Sequence, residues 1–173
     1  MTAPQWRFDE RTNVQMARAK VGPLHFKIAP DMDFMCWSEL TSLTIIGVTL
    51  SDEDVVSVIS HIPRVQQLTV YNLPLQGPTP RPYQFISNLT YRPSRPEHKC
   101  LAPLLKDVTI PLTTDTVDFV NSRSHEYDCE SADFIEKLRR VDLKAPYPQG
   151  ASDLLDKMLD SVERGVKIYG GPF

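Results

Sequence analysis

Apolar residues recur along this chain in one short cadence. Leu40-x-x-Leu43-x-Ile45-x-x-Val48, Val65-x-x-Leu68-x-Val70-x-Asn72-Leu73, Leu105-x-x-Val108-x-Ile110-x-Leu112 and Leu138-x-x-Val141-x-Leu143 all follow L-x-x-L-x-L, and Val166-x-Ile168 repeats its end. The alternation at the centre of each predicts a short strand with one buried face. The last apolar positions fall at 45, 70, 110, 143 and 168, so the intervals are 25, 40, 33 and 25 residues. Two of the four match the ~20–29 residues of a leucine-rich repeat, and the longer two require insertions. Leu24-x-Phe26-x-Ile28 alternates in the same way upstream.

Between the strands the period changes from 2 to 3.6. Ser51 is a good N-cap, followed by Asp52, Glu53 and Asp54, and then Val55, Val58, Ile59 and Ile62 at helical spacing up to Pro63. Thr114 caps a second helix to Ser122, with Val117 and Val120 on one face, and Ser131 opens a short one carrying Phe134 and Leu138. Ser152 opens the last, which turns Leu155, Met158, Leu159 and Val162 inward and ends with Gly165 at C′. A strand followed by a helix that cannot bury its own apolar face is the unit of a solenoid. The expected fold is therefore α/β: a short leucine-rich-repeat solenoid with parallel strands on the concave face and helices on the convex face. Residues 34–173 would form it, with residues 1–33 as an N-terminal segment that would cap one end. Residues 75–99, with Pro78, Pro80, Pro82, Pro93 and Pro96 and four basic side chains against Glu97, read as an extended Pro-rich basic insertion in place of one helix.

Composition narrows the class. Among 173 residues, 15 Pro and only 7 Gly indicate stiff connections rather than loose linkers. Nineteen basic against 22 acidic residues give a net charge of −3, and no part of the chain is strongly basic, so nucleic acid is not an expected partner. No apolar run approaches the ~20 residues of a membrane span. Met1–Arg7 lacks a basic stretch followed by an apolar one, so an intracellular protein, cytoplasmic or nuclear, is expected. Cys36, Cys100 and Cys129 are odd in number and form no CxxC, which indicates neither a disulfide framework nor a zinc ribbon.

Several segments resemble a known family. Trp37-Ser38-Glu39-Leu40-Thr41-Ser42-Leu43-Thr44-Ile45, an acidic helix, and then Ile62-Pro63-Arg64-Val65-Gln66-Gln67-Leu68-Thr69-Val70 resemble the repeat region of basidiomycete fungal F-box proteins. Pro103-Leu104-Leu105-Lys106-Asp107-Val108-Thr109-Ile110 has the same P-x-L-x-x-L cadence, and Phe119-Val120-Asn121-Ser122-Arg123 is similar to a recurrent F-[IV]-x-S-R segment there. The resemblance spans about Met35 to Ile168 and implies the substrate-recognition repeats of a ubiquitin-ligase receptor. The family's F-box, opening with L-P-x-E-[IL], has no counterpart in Met1–Asp33. A ubiquitin-ligase adaptor is therefore an expected partner only where an F-box stands upstream.

Catalytic chemistry is hard to find. G-x-S-x-G, G-x-x-x-x-G-K-[ST], H-E-x-x-H and G-x-G-x-x-G do not occur. His125 and Cys129 have a spacing that can chelate on a helix, yet zinc takes three or four protein ligands, and a polar loop explains the cluster better. No metal or cofactor is expected. The strands are more informative: when the leucines point inward, the residues between them point outward. That column includes Ser42, Thr44 and Ile46, then Gln67, Thr69 and Tyr71, then Asp107, Thr109 and Pro111, then Arg140, Asp142 and Lys144, with Gly165, Lys167 and Tyr169 last. Aromatic, amide and opposite charges mixed in this way suit contact with a protein partner. Gln67, Tyr71, Asp107, Arg140, Asp142 and Lys167 are the candidate binding residues, and the expected function is a non-catalytic protein–protein interaction module. Two other readings stay open: a truncated repeat remnant with a structural or no retained function, and an enzyme with a dispersed site.

Overall fold

Alternation decides the sheet. In the computed structural model, which describes residues 6–9, 13–16, 40–46, 51–71, 83, 85–92, 100–125 and 135–171, each L-x-x-L-x-L segment becomes a strand. The strands are β1 (Trp6–Asp9), β2 (Asn13–Met16), β3 (Ser42–Ile46), β4 (Gln67–Tyr71), β5 (Asp107–Pro111), β6 (Arg140–Lys144) and β7 (Lys167–Tyr169). They form one sheet in sequence order, β1-β2-β3-β4-β5-β6-β7. β3 to β7 run parallel to their neighbours, β2 joins β3 in parallel, and β1 closes a hairpin antiparallel to β2. The upstream alternation at Leu24–Ile28 lies outside the described residues.

One backbone device repeats at the start of the strands. The Thr41 carbonyl accepts the N–H groups of Gln66 and Gln67, the Gln66 carbonyl those of Lys106 and Asp107, and the Lys106 carbonyl those of Arg139 and Arg140. The N–H of Lys167 donates to the Arg139 carbonyl. Each turn thus hangs from the equivalent turn before it, which locks the register. Leu43, Ile45, Leu68, Val70, Val108, Ile110, Val141 and Leu143 are all at most 2% exposed and belong to one core.

Helices cover the leucine face: α1 (Asp52–Ser60), α2 (Phe85–Leu89), α3 (Thr114–Ser122), α4 (Ala151–Asp156) and α5 (Leu159–Glu163). α1 starts as its sequence predicts. The Ser51 hydroxyl accepts the Asp54 N–H, and the Asp54 carboxylate accepts the Ser51 N–H. α3 is capped one residue earlier than expected, by Thr113, whose hydroxyl accepts the Thr116 N–H while Thr116 Oγ1 accepts the Thr113 N–H.

Three expectations need correction. First, the Pro-rich insertion does not replace a helix. α2 lies within it, packs against both α1 and α3, and buries Phe85, Ile86 and Leu89 completely. The proline-dense flanks at 72–82 and 93–99 lie outside the described residues. Second, no helix spans Ile135–Arg139. The N–H of Glu136 donates to the Pro103 carbonyl and that of Leu138 to the Arg123 carbonyl, so bonds a helix would make within itself go to a neighbouring turn. Ser131 and Phe134 lie outside the described residues.

Third, the helix expected from Ser152 is two. Gly150, at φ +77°, precedes α4, and the chain breaks at Lys157–Met158 before α5. Asn121 holds the break: its Nδ2 donates to the Lys157 carbonyl at 3.1 Å, and its Oδ1 accepts the Ser161 hydroxyl at 2.6 Å. The inward stripe passes to Met158 and Ser161, which leaves Leu159 55% and Val162 45% exposed. Gly165 ends α5 as expected. At φ +94°, its N–H donates to the Val162 carbonyl and that of Val166 to the Ser161 carbonyl, the paired bonds of a Schellman turn.

A buried cation joins the end of α3 to the turn before β5. Arg123, directly after α3, is 0% exposed. Its guanidinium donates to the carbonyls of Ala102 (3.3 Å), Pro103 (3.0 Å) and Leu105 (3.1 Å) and to Cys100 Sγ (3.2 Å). Ala102 sits at φ +55°, a left-handed conformation costly for a residue with a Cβ. The turn leading into β5 is thus held by the end of the following helix.

Candidate functional site

Register sorts the outward side chains into rows. Gln67, Asp107, Arg140 and Lys167 are aligned across β4 to β7, with Ser42 ahead of them on β3. Thr44, Thr69, Thr109, Asp142 and Tyr169 form the next row. Ile46 and Tyr71 are partners in the row beyond, and Lys144 ends β6. Each side chain is placed by its inward neighbours: Leu68 and Val70 cannot leave the core, so Gln67 and Tyr71 must face away from it. Gln67, Arg140, Lys144 and Lys167 are exposed, and Tyr71, Asp107 and Asp142 are half-buried. Pro111 shares the outward parity but is buried. Gly165 is not on this face at all, being the C′ residue of α5.

All six expected residues therefore lie on one face, in the order the repeat implies. The contacts among them are another matter. Arg140 does not bridge to Asp107 on β5. It turns along its own strand to Asp142, with Nε donating to Oδ2 at 3.1 Å and Nη2 to Oδ1 at 3.3 Å. The guanidinium also lies over the Tyr169 ring, 4.6 Å from its centroid. A side chain held by a forked carboxylate and an aromatic plane has lost most of its rotamers. The exposed ion pair itself contributes only about 0.2–1 kcal/mol to stability, so its larger effect is on orientation.

Tyr169 belongs to this site, although it is not among the six. Its parity placed it on the outward face, but stacking across β6 and β7 depends on register. A latch just after β7 holds it there. Tyr147 Oη donates to the Leu143 carbonyl and accepts the Gly171 N–H at 3.0 Å. Between them Gly170, at φ +79°, runs so close to Leu143 that a Cβ would lie 2.4 Å from its carbonyl oxygen. Gly170→Ala should therefore release β7. Amide exchange at Lys167–Tyr169 should accelerate at least about tenfold while the main melting transition moves little, since β7 is a three-residue strand paired, among the described residues, with β6 alone. Unchanged exchange would show that the latch does not hold the strand.

Other clusters offer less. His61 Nδ1 lies 2.7 Å from the Ser57 carbonyl at the end of α1. His125 contacts Arg164 and Ser124, and Cys129 lies outside the described residues. Among the described residues no three His, Cys, Asp or Glu side chains are grouped to hold a metal ion, and no helix is long and apolar enough to cross a membrane. No family model, curated protein or solved structure matches this chain.

Proposed function

We propose that this chain is a non-catalytic protein-binding module, a short leucine-rich-repeat solenoid similar to the substrate-recognition repeats of a ubiquitin-ligase F-box receptor. The observation that carries the reading is the outward face of β3 to β7. Five parallel strands in continuous register present threonine, amide, aromatic and charged side chains, and Arg140 is already oriented by Asp142 and Tyr169. Sequential strand order, helices on the leucine face and repeated turn-to-turn bonds support the solenoid part. Such sheets are the usual binding faces of repeat proteins. The ubiquitin-ligase role rests on the family resemblance and requires an F-box module on the same polypeptide.

Tyr71 and Arg140 are the expected anchors, since Tyr and Arg dominate interface energies. Partner capture from a basidiomycete lysate is expected to fall at least about tenfold for Tyr71→Ala and for Arg140→Glu, with melting temperatures within about 2 °C of the wild type. Capture that survives both substitutions, or losses matched by falls in melting temperature, would leave the face structural and favour the repeat-remnant reading.

A further inference from the structure

Charge is unevenly spread over the outward face. From β3 to β5 the described outward residues are neutral except Asp107: Ser42, Thr44, Ile46, Gln67, Thr69 and Tyr71 come first, and Thr109 follows on β5. β6 and β7 carry Arg140, Lys144 and Lys167 against Asp142 alone, three cations to one carboxylate. That carboxylate is already engaged by Arg140. Lys144 and Lys167 are exposed, and neither side chain makes a hydrogen bond or ion pair among the described residues. This part of the face is thus net positive on a chain whose net charge is −3.

We infer that the partner of this face is an acidic peptide segment, with an apolar residue over Tyr71 and Ile46 and carboxylates over β6 and β7. The inference rests on the reading of this face as a protein-binding surface. Strand spacing sets the partner's dimensions. From β4 to β6 is two strand separations, about 9–10 Å, or roughly three residues of extended chain from the apolar group to the first carboxylate. Lys144 and Lys167 lie at opposite ends of their strands and so grip carboxylates on both sides of the Arg140–Tyr169 stack. A nucleic acid fits less well, because its phosphates would continue over β3 to β5, where the described outward residues include no cation and Asp107 would repel them, whereas the peptide's carboxylates are confined to β6 and β7.

Fluorescence anisotropy on the full chain tests this with a short labelled peptide bearing leucine and tyrosine, followed three residues later by two glutamates. Controls replace the glutamates with glutamine or with lysine, and an oligothymidylate of similar length stands for nucleic acid. At low salt the glutamate peptide should bind at least about tenfold tighter than the glutamine one, and added salt should erase the preference. The Lys144→Glu/Lys167→Glu double variant should erase it too; both sites are exposed, so the fold is retained. Equal affinity for glutamate and glutamine peptides, no detectable binding of the glutamate peptide, or tighter binding of oligothymidylate would each overturn the acidic-segment assignment. If lysate capture still depends on Tyr71 and Arg140 in those cases, the binding face stands and only the partner's chemistry falls. If it does not, both fall together.

Discussion

Replacing Arg123 with methionine should lower stability by about 3–4 kcal/mol. Methionine keeps most of the apolar stem and removes the charge, so the desolvation cost of the guanidinium disappears with it. What is lost is a fan of charge-assisted bonds to Ala102, Pro103, Leu105 and Cys100. Ala102 and Pro103 keep a backbone donor each, from Leu105 and Glu136, and among the described residues no backbone donor meets the Leu105 carbonyl. The left-handed turn at Ala102 then loses the group that holds it. Arg123→Lys should not rescue the loss, because an ammonium cannot span these carbonyls as a planar fork does. Thermal or urea unfolding of both variants checks this. A methionine variant within about 1 kcal/mol of the wild type would show the buried cation to be dispensable.

Phe85→Ala should cost about 3–5 kcal/mol, the range for a large aromatic removed from a packed core. The same substitution in a solvated Pro-rich insertion would fall within about 0.5 kcal/mol. The two readings of residues 75–99 thus differ by several-fold in one measurement. Phe85, Ile86 and Leu89 are each 0% exposed, and the Phe85 ring meets Tyr83 edge-on with centroids 6.2 Å apart. The cavity cannot close easily because α2 is flanked by α1 and α3. Urea unfolding of Phe85→Ala with a midpoint near that of the wild type would return this segment to the surface.

The strands and their outward residues were legible from the sequence because a period of two admits only two registers, and the leucines choose between them. Gln67, Tyr71, Asp107, Arg140, Asp142 and Lys167 therefore fell on one face without any knowledge of what surrounds them. The α1 cap was legible for a similar reason: Ser51 and Asp54 satisfy each other within four residues. Less was legible wherever a residue's partner is distant. The division of α4 from α5 depends on Asn121, 36 residues before the carbonyl it holds, and the continuous apolar spacing across Leu155–Val162 gave no sign of it. The Ile135–Leu138 segment failed as a helix for the same reason, since its amides bond to residues of earlier turns.

Local periodicity was enough to locate β3 to β7 and to say which of their side chains enter the core and which are turned away from it. In such a pattern each residue's role is set by neighbours two to four positions along the chain. Packing settled that α2 fills the core between two helices, that Arg123 staples a turn about twenty residues before it, and that Arg140 pairs with Asp142 and Tyr169 rather than with Asp107. Each of these depends on which groups the packed chain brings within hydrogen-bonding or stacking distance. A periodic pattern says which way a side chain points, whereas register and packing say what it meets there.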